Sequence, residues 1–299
     1  MSIDARPTIA APDDDPYLWL EEIEGERALA FVAEQNALTL AKFGDAGFVR
    51  DRDALAAILD RPDNIPFISR RGGFVYNLWK DANNPRGLWR RTTLAEFRNA
   101  SPAWDIILDV DKLAAEENED WLFAGAQALP ESGKRIVSLS RGGSDAAVLR
   151  EFDIERKAFV SGGFTLPEAK GGAAWIDADT LLLSSAYGDD MATTSGYART
   201  VRLWRRGTDA PMAPVLFETT PEHMAVNGSV DRTGAAPRIW FVEQLDFFNR
   251  NVWLGDAGGA REKLDLPTDA EMDCHGDWLA VKPRKPWTCL LYTSDAADE

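Results

Sequence analysis

Cysteine and histidine are nearly absent, with two of each in 299 residues. Two thiols, Cys274 and Cys289, make no disulfide framework. Neither H-E-x-x-H nor C-x-x-C spacing occurs, so no metal site is expected. The phosphate-cradling patterns G-x-G-x-x-G and G-x-x-x-x-G-K-[ST] are missing too, and no cofactor is expected. No apolar run approaches the roughly 20 residues of a membrane helix. Bases are scarce: 33 Lys and Arg face 49 Asp and Glu, a net charge of −16. That balance argues against a nucleic-acid partner and against an anionic membrane surface. Residues 1–15 hold no apolar core of a secretory leader, so the expected compartment is the cytoplasm.

What is present is ordinary globular composition, 45% hydrophobic and 27% charged, which excludes disorder of the whole chain. Tryptophan is abundant, eleven against five tyrosines. Residues 1–12 read as a flexible lead. Asp15-Pro16 reads as a helix start, since Asp caps and Pro suits the first helical position. A helix is expected from Glu26 to about Phe43, because Leu29, Val32, Ala33, Asn36, Ala37 and Leu40 fall on one face. A further helical stretch is expected over Asp51–Asp60, ended by Pro62.

After Pro66 the period changes to short strands broken by Gly, Pro, Asp and Asn. Phe67–Ser69 and Gly73–Trp79 read as strands, with turns at Arg71-Gly72-Gly73 and Asn83-Asn84-Pro85. Further strands are expected at Trp104–Leu108, Trp121–Ala126, Arg135–Leu139, Ala147–Phe152, Thr180–Ser184, Thr200–Arg205, Val215–Glu218, Arg238–Glu243, Asn251–Leu254 and Trp278–Val281. A short helix is expected at Asp111–Glu117. Leu88-Trp89-Arg90-Arg91 recurs as Leu203-Trp204-Arg205-Arg206, with weaker relatives at Val148-Leu149-Arg150 and Val252-Trp253-Leu254. Successive copies start 60, 55 and 49 residues apart. Units of that length suit four-stranded propeller blades. By pattern alone a β-sandwich fits as well.

The C-terminal run Cys289 to Asp298 resembles a translated sequencing-library adapter over ten consecutive residues. Residues 289–299 are therefore expected to be an artefact, and the reading frame is expected to be cut near Thr288.

Asp15-Pro16-Tyr17-Leu18-Trp19-Leu20-Glu21-Glu22, followed by Ala30-Phe31-Val32-Ala33-Glu34-Gln35-Asn36, resembles the N-terminus of the prolyl oligopeptidase family of serine peptidases. Ser138-Leu139-Ser140-Arg141-Gly142-Gly143-Ser144-Asp145 is similar to that family's L-S-x-x-G-S-D turn. The resemblance implies a mainly β chain: a partial β-propeller, roughly four blades of an expected seven, after a short helical segment. Residues 1–66 would be the lead and helical segment that packs on a hydrolase domain, and 67–288 the truncated propeller. The α/β-hydrolase domain itself is expected to lie beyond this chain.

Such a hydrolase needs a Ser on a G-x-S-x-G elbow, then Asp and His in chain order. No glycine pair four apart brackets a serine. Gly142-Gly143-Ser144-Asp145-Ala146 comes nearest, but it ends in Ala and reads as a hairpin turn. Cys274 and His275 are adjacent, so in a strand they point to opposite faces and could not act as a pair. His223 reads as a loop residue. Asp13-Asp14-Asp15 and Glu116-Glu117-Asn118-Glu119-Asp120 read as solvated acids. The doublets Arg90-Arg91 and Arg205-Arg206 read as structural, on the outer strand of two blades. No catalytic, cofactor-binding or metal residue is assigned. The expected function is that of the N-terminal fragment of a serine-type oligopeptidase, inactive and poorly stable by itself. Its propeller would gate short peptide substrates toward the absent active site. The rival is a stand-alone propeller that binds a peptide or protein partner.

Overall fold

The computed structural model describes residues 15–22, 24–61, 66–188 and 190–288, and the backbone of 293–294. The chain divides into two compact units, Met1–Ile65 and Pro66–Glu299. In the first, Asp15 accepts a hydrogen bond from the Tyr17 N–H at 2.8 Å and opens a 3-10 turn at Leu18–Glu21. Helix α1 then runs over Glu26–Phe43 and α2 over Ala46–Leu59. Trp19 meets the Phe31 ring edge-on, centroids 5.7 Å apart, and carries the Arg27 guanidinium on its face. Helix α2 starts earlier than the expected Asp51. Gly44 closes α1 through Leu40 O, and Asp45 caps α2 by accepting from the Phe48 N–H at 2.8 Å. The predicted apolar stripe of α1 is exposed, and the one buried residue of the helix, Ala28, lies outside that stripe. Pro62 and Asp13-Asp14 lie outside the described residues.

The second unit is a partial β-propeller. Its first blade is the meander β1 (Ile68–Arg71), β2 (Phe74–Asp81), β3 (Asn84–Thr93) and β4 (Asp105–Asp109). Gly72 and Gly73, at φ 54° and 80°, close a two-residue turn between β1 and β2, a backbone that L side chains resist. The next turn differs from expectation, because Asn84 and Pro85 already belong to β3. Asp81 holds it by accepting from the N–H groups of Asn83 and Asn84. The short helix α3 (Leu94–Phe97) interrupts the blade. Helix α4 (Val110–Glu117) leads to the second blade, capped by Asp109 and ended by Asn118 in the left-handed region.

The second blade comprises β5 (Trp121–Ala128), β6 (Lys134–Arg141), β7 (Ala146–Asp153) and the first half of β9 (Thr165–Asp177), with the short β8 (Ala158–Phe159) also on β7. The second half of β9 opens the third blade, followed by β10 (Thr180–Ser185), β11 (Thr200–Arg205) and β12 (Val215–Glu218). One thirteen-residue strand thus serves two blades, pairing β7 up to Lys170 and β10 from Gly171. Gly171 is the joint: its φ is +127°, and a Cβ there would sit 2.1 Å from the Ser184 carbonyl oxygen. The fourth blade is β13 (Ala225–Asp231), β14 (Arg238–Gln244), β15 (Arg250–Gly255) and β16 (Arg261–Lys263). The hairpin β17 (Glu271–His275) and β18 (Trp278–Lys282) follows, then the two-residue strands β19 (Trp287–Thr288) and β20 (Thr293–Ser294). The sheets do not close into a ring, and every strand pairing among the described residues is antiparallel.

Three hydrophobic cores lie between successive blades. Trp89, Trp121 and Phe152 join the first to the second, Phe164, Trp175 and Trp204 the second to the third, and Phe217 and Phe241 the third to the fourth. Strand β10 shows why its sequence is a continuous Leu-Leu-Leu. Leu181 and Leu183 face the second blade's core, Leu182 the fourth's, and all three are fully buried. The recurring Leu-Trp-Arg-Arg and its relatives fall on β3, β7, β11 and β15, the third strand of every blade.

Candidate functional site

The first strands of the second, third and fourth blades line a cavity of about 500 Å³. Its walls are small and neutral, among them Ala124, Gln127, Ala173, Asn227 and Ser229. Among the described residues, no carboxylate, amine, guanidinium, imidazole or thiol lines it. In a chain that is 27% charged this is a selective exclusion. The small residues answer to packing. At Gly228 a Cβ would lie 2.6 Å from Val201 Cγ1 and 2.7 Å from Leu182 Cδ2, so only glycine lets β13 approach the third blade. The Gly228 N–H donates to Ser184 Oγ at 2.9 Å. Such a surface can admit an extended peptide and offer it hydrogen bonds. It holds no acid, base or activated nucleophile.

The residues singled out from sequence are dispersed. Ser144 sits in the β6–β7 connection, where its N–H bonds to Arg141 O and its Oγ accepts from the Ala146 N–H at 3.2 Å. Gly142 and Gly143 there have positive φ, as a tight turn requires. Cys274 and His275 alternate along β17. The Cys274 thiol contacts Arg238 at 3.2 Å, and burial pushes its pKa up, away from a reactive thiolate.

His223 enters a network that sequence reasoning missed. Its Nδ1 lies 2.9 Å from Thr219 Oγ1 and 3.0 Å from Glu243 Oε1. Thr219 Oγ1 donates to the same Oε1 at 2.6 Å, and Asn251 Nδ2 donates to Oε2 at 3.0 Å. Hydroxyl, imidazole and carboxylate together resemble a catalytic relay, but the connectivity is wrong. A relay needs opposite ring nitrogens for acid and hydroxyl, and here one nitrogen meets both. Burial alone would raise the Glu243 pKa, but the bonds from Asn251, Thr219 and His223 outweigh it and hold it low. The group therefore ties the loop before β13 to β14 and β15. Nothing in sequence spacing linked positions 219, 223, 243 and 251.

The acidic run 116–120 at the end of α4 is solvated only in part: Glu116 and Asp120 are exposed, whereas the side chains of Glu117 and Glu119 are half-buried, and three of the four acids are held by arginines. Glu117 accepts from Trp121 Nε1 and from Arg150, Glu119 takes Arg141 in a fork at 2.8 and 2.9 Å, and Asp120 pairs with Arg86 at 2.6 Å. The arginine doublets are structural, though on or just after the third strand rather than the outermost. Arg91 joins Asp105 and Glu155, and Arg206 joins Glu151 and Asp179, so each reaches into the second blade. Arg90 stacks between Trp79 and Trp104. Among the described residues, no cluster of three or more His, Cys, Asp or Glu could hold a metal ion, and no helix is long and apolar enough to cross a membrane.

Comparison with known proteins gives this arrangement its context. Residues 11–269 match the family model described as prolyl oligopeptidase, N-terminal beta-propeller domain. An uncharacterized peptidase of Sinorhizobium fredii is 34% identical over 278 residues, which is 90% of this chain and 38% of that protein. One of Rickettsia prowazekii is 28% identical over 269 residues, 85% of this chain and 37% of that protein. Among solved structures, a post-proline cleaving enzyme from Rickettsia typhi superimposes with a TM-score of 0.82 at 27% identity, covering 93% of this chain and 42% of that one. Oligopeptidase B from Leishmania major shares the fold at 16% identity and a TM-score of 0.63. The chain thus spans about two fifths of the length of the relatives it matches.

Proposed function

The chain belongs to the prolyl oligopeptidase family, and from that premise we propose that it is the propeller-bearing front portion of a serine-type oligopeptidase. The propeller limits which substrates reach a hydrolase site carried by sequence C-terminal to this chain. The observation that carries this is the family match over residues 11–269, met by a cavity on the innermost strands whose lining, among the described residues, holds no charged group. Once further blades close the ring, an uncharged passage along these strands excludes by width. It passes a short extended peptide and rejects a folded protein. In this reading the chemistry is acyl transfer to a serine, with a histidine base oriented by an aspartate, all three outside this chain. Taken alone the chain is inactive. The exposed Leu29, Val32 and Leu40 of α1 are then a face that the hydrolase domain covers. The likeness to a post-proline cleaving enzyme supports short, proline-containing peptides as substrates, and the compartment is the cytoplasm.

The test is to read the source gene past codon 288 and to express it uninterrupted. The expected product continues through further blades to a G-x-S-x-G elbow, then Asp and His. It cleaves a fluorogenic peptide with proline before the reporter and leaves a folded protein with the same sequence intact. A frame that ends within a blade or two, with no elbow, overturns the proposal and leaves a binding propeller.

A further inference from the structure

A second cavity, of about 670 Å³, opens between the first and second blades, beside the β1–β2 and β5–β6 turns. It has the opposite character to the neutral one. Among the described residues, four arginines line it (Arg70, Arg71, Arg91 and Arg135) against two carboxylates, Glu131 and Glu155. This is a local excess of positive charge in a chain of net charge −16.

The arginines are not equivalent. Arg91 is neutralised by Asp105 and Glu155. Arg135 is not: it is 6% exposed, and its Nη1 donates to the carbonyls of Ser132 and Lys134 at 2.7 and 2.8 Å. No carboxylate pairs with it among the described residues. A buried guanidinium without a counter-charge is costly, and its planar fork matches the two oxygens of an oxyanion. The carbonyls hold one nitrogen and fix the plane, which leaves the rest of the fork to meet a ligand. Arg70 and Arg71, both exposed and without an ion-pair partner among the described residues, stand at the mouth. Phe74 and Tyr76 add an aromatic wall.

We propose that this cavity is an oxyanion-binding site in which Arg135 holds the anion from beneath and Arg70 and Arg71 close over it. Its ligand is a carboxylate with an apolar or aromatic neighbour, as at the end of a peptide, or a free phosphate. The site lies on the propeller alone and does not rest on the peptidase reading.

The test is calorimetric titration of the full-length protein with three probes: N-acetylphenylalanine, its amide, and inorganic phosphate. For a peptide-type carboxylate, the acid binds and the amide binds at least about tenfold more weakly, the loss expected for a charge-assisted fork. Phosphate binding in place of the acid assigns the site to the free ion. In either case Arg71→Glu, an exposed change that spares the fold, weakens binding at least about tenfold, and so does Arg135→Lys. Arg205→Glu, on the third blade, leaves it unchanged. The proposal is overturned if neither anion binds, or if Arg71→Glu leaves the affinity intact.

Discussion

Replacing Glu151 by glutamine tests the joint between the second and third blades. The Glu151 side chain is fully buried and accepts from Arg206 at 2.7 and 3.1 Å, with Lys134 Nζ at 3.5 Å. It also accepts from the Phe164 N–H at 2.9 Å. Glutamine keeps the volume and one oxygen for Phe164 but removes the charge that balances two cations. Breaking one side of a buried pair costs about 3–5 kcal/mol. Arg206 stays a quarter exposed and retains Asp179 at 2.7 Å, so about 2–3 kcal/mol is expected here. Glu151→Ala also orphans the Phe164 N–H, about 1–3 kcal/mol more.

The pH dependence follows from the same geometry. Burial would raise the Glu151 pKa, but the Arg206 and Phe164 hydrogen bonds and the charges of Arg206 and Lys134 outweigh it and hold it low. A depressed carboxylate stabilises fully above its unfolded value, and the gain is lost as pH falls below about 4. The assay is urea unfolding followed by tryptophan fluorescence at pH 7 and pH 3, for the wild type, Glu151→Gln, Arg206→Gln and the double variant. The gap between wild type and Glu151→Gln should be wide at pH 7 and narrow at pH 3. A loss below about 0.5 kcal/mol at pH 7, or additivity of the two single changes, refutes the reasoning.

Three further outcomes are expected. Leu182→Ala, at a fully buried position facing the core between the third and fourth blades, should lower stability by about 2–5 kcal/mol in the same unfolding assay. Gly171→Ala forces a Cβ against the Ser184 carbonyl oxygen at positive φ. It should cost more than about 2 kcal/mol and broaden amide exchange along β9 and β10. Ser144→Ala removes only a turn hydrogen bond. It should change stability by less than about 0.5 kcal/mol and leave unaltered the peptide cleavage proposed for the full-length protein; cleavage lost on this change alone would reopen Ser144 as a nucleophile.

Local pattern made much of this protein legible. The α1 stripe and its glycine stop set Glu26–Phe43, and β-branched and aromatic runs set strands such as Thr200–Arg205 and Val215–Glu218. The repeated Leu-Trp-Arg-Arg marked a unit because each third strand must fill the gap between neighbouring sheets with a large side chain. Strands β9, β13 and β17 gave no such signal. Near the axis the blades converge, so β9 is Lys-Gly-Gly-Ala-Ala at its bend and β13 carries Asn, Gly and Ser. Those residues have low strand propensity and no apolar alternation; β13 is held extended by β14 on one edge, and β9 by β7 over its first half and β10 over its second. The partners of charged groups were equally hidden. The acids of 117–120 look like a solvated helix end until β3, β6 and β7 bring Arg86, Arg141 and Arg150 to them. Sequence alone determined α1 and α4, most strands that carry apolar or β-branched runs, the repeat and the family. Only the tertiary structure decided α3, strands such as β9 and β13, the ion pairs between blades and the two cavities, because each depends on atoms far apart in the chain meeting across a sheet face.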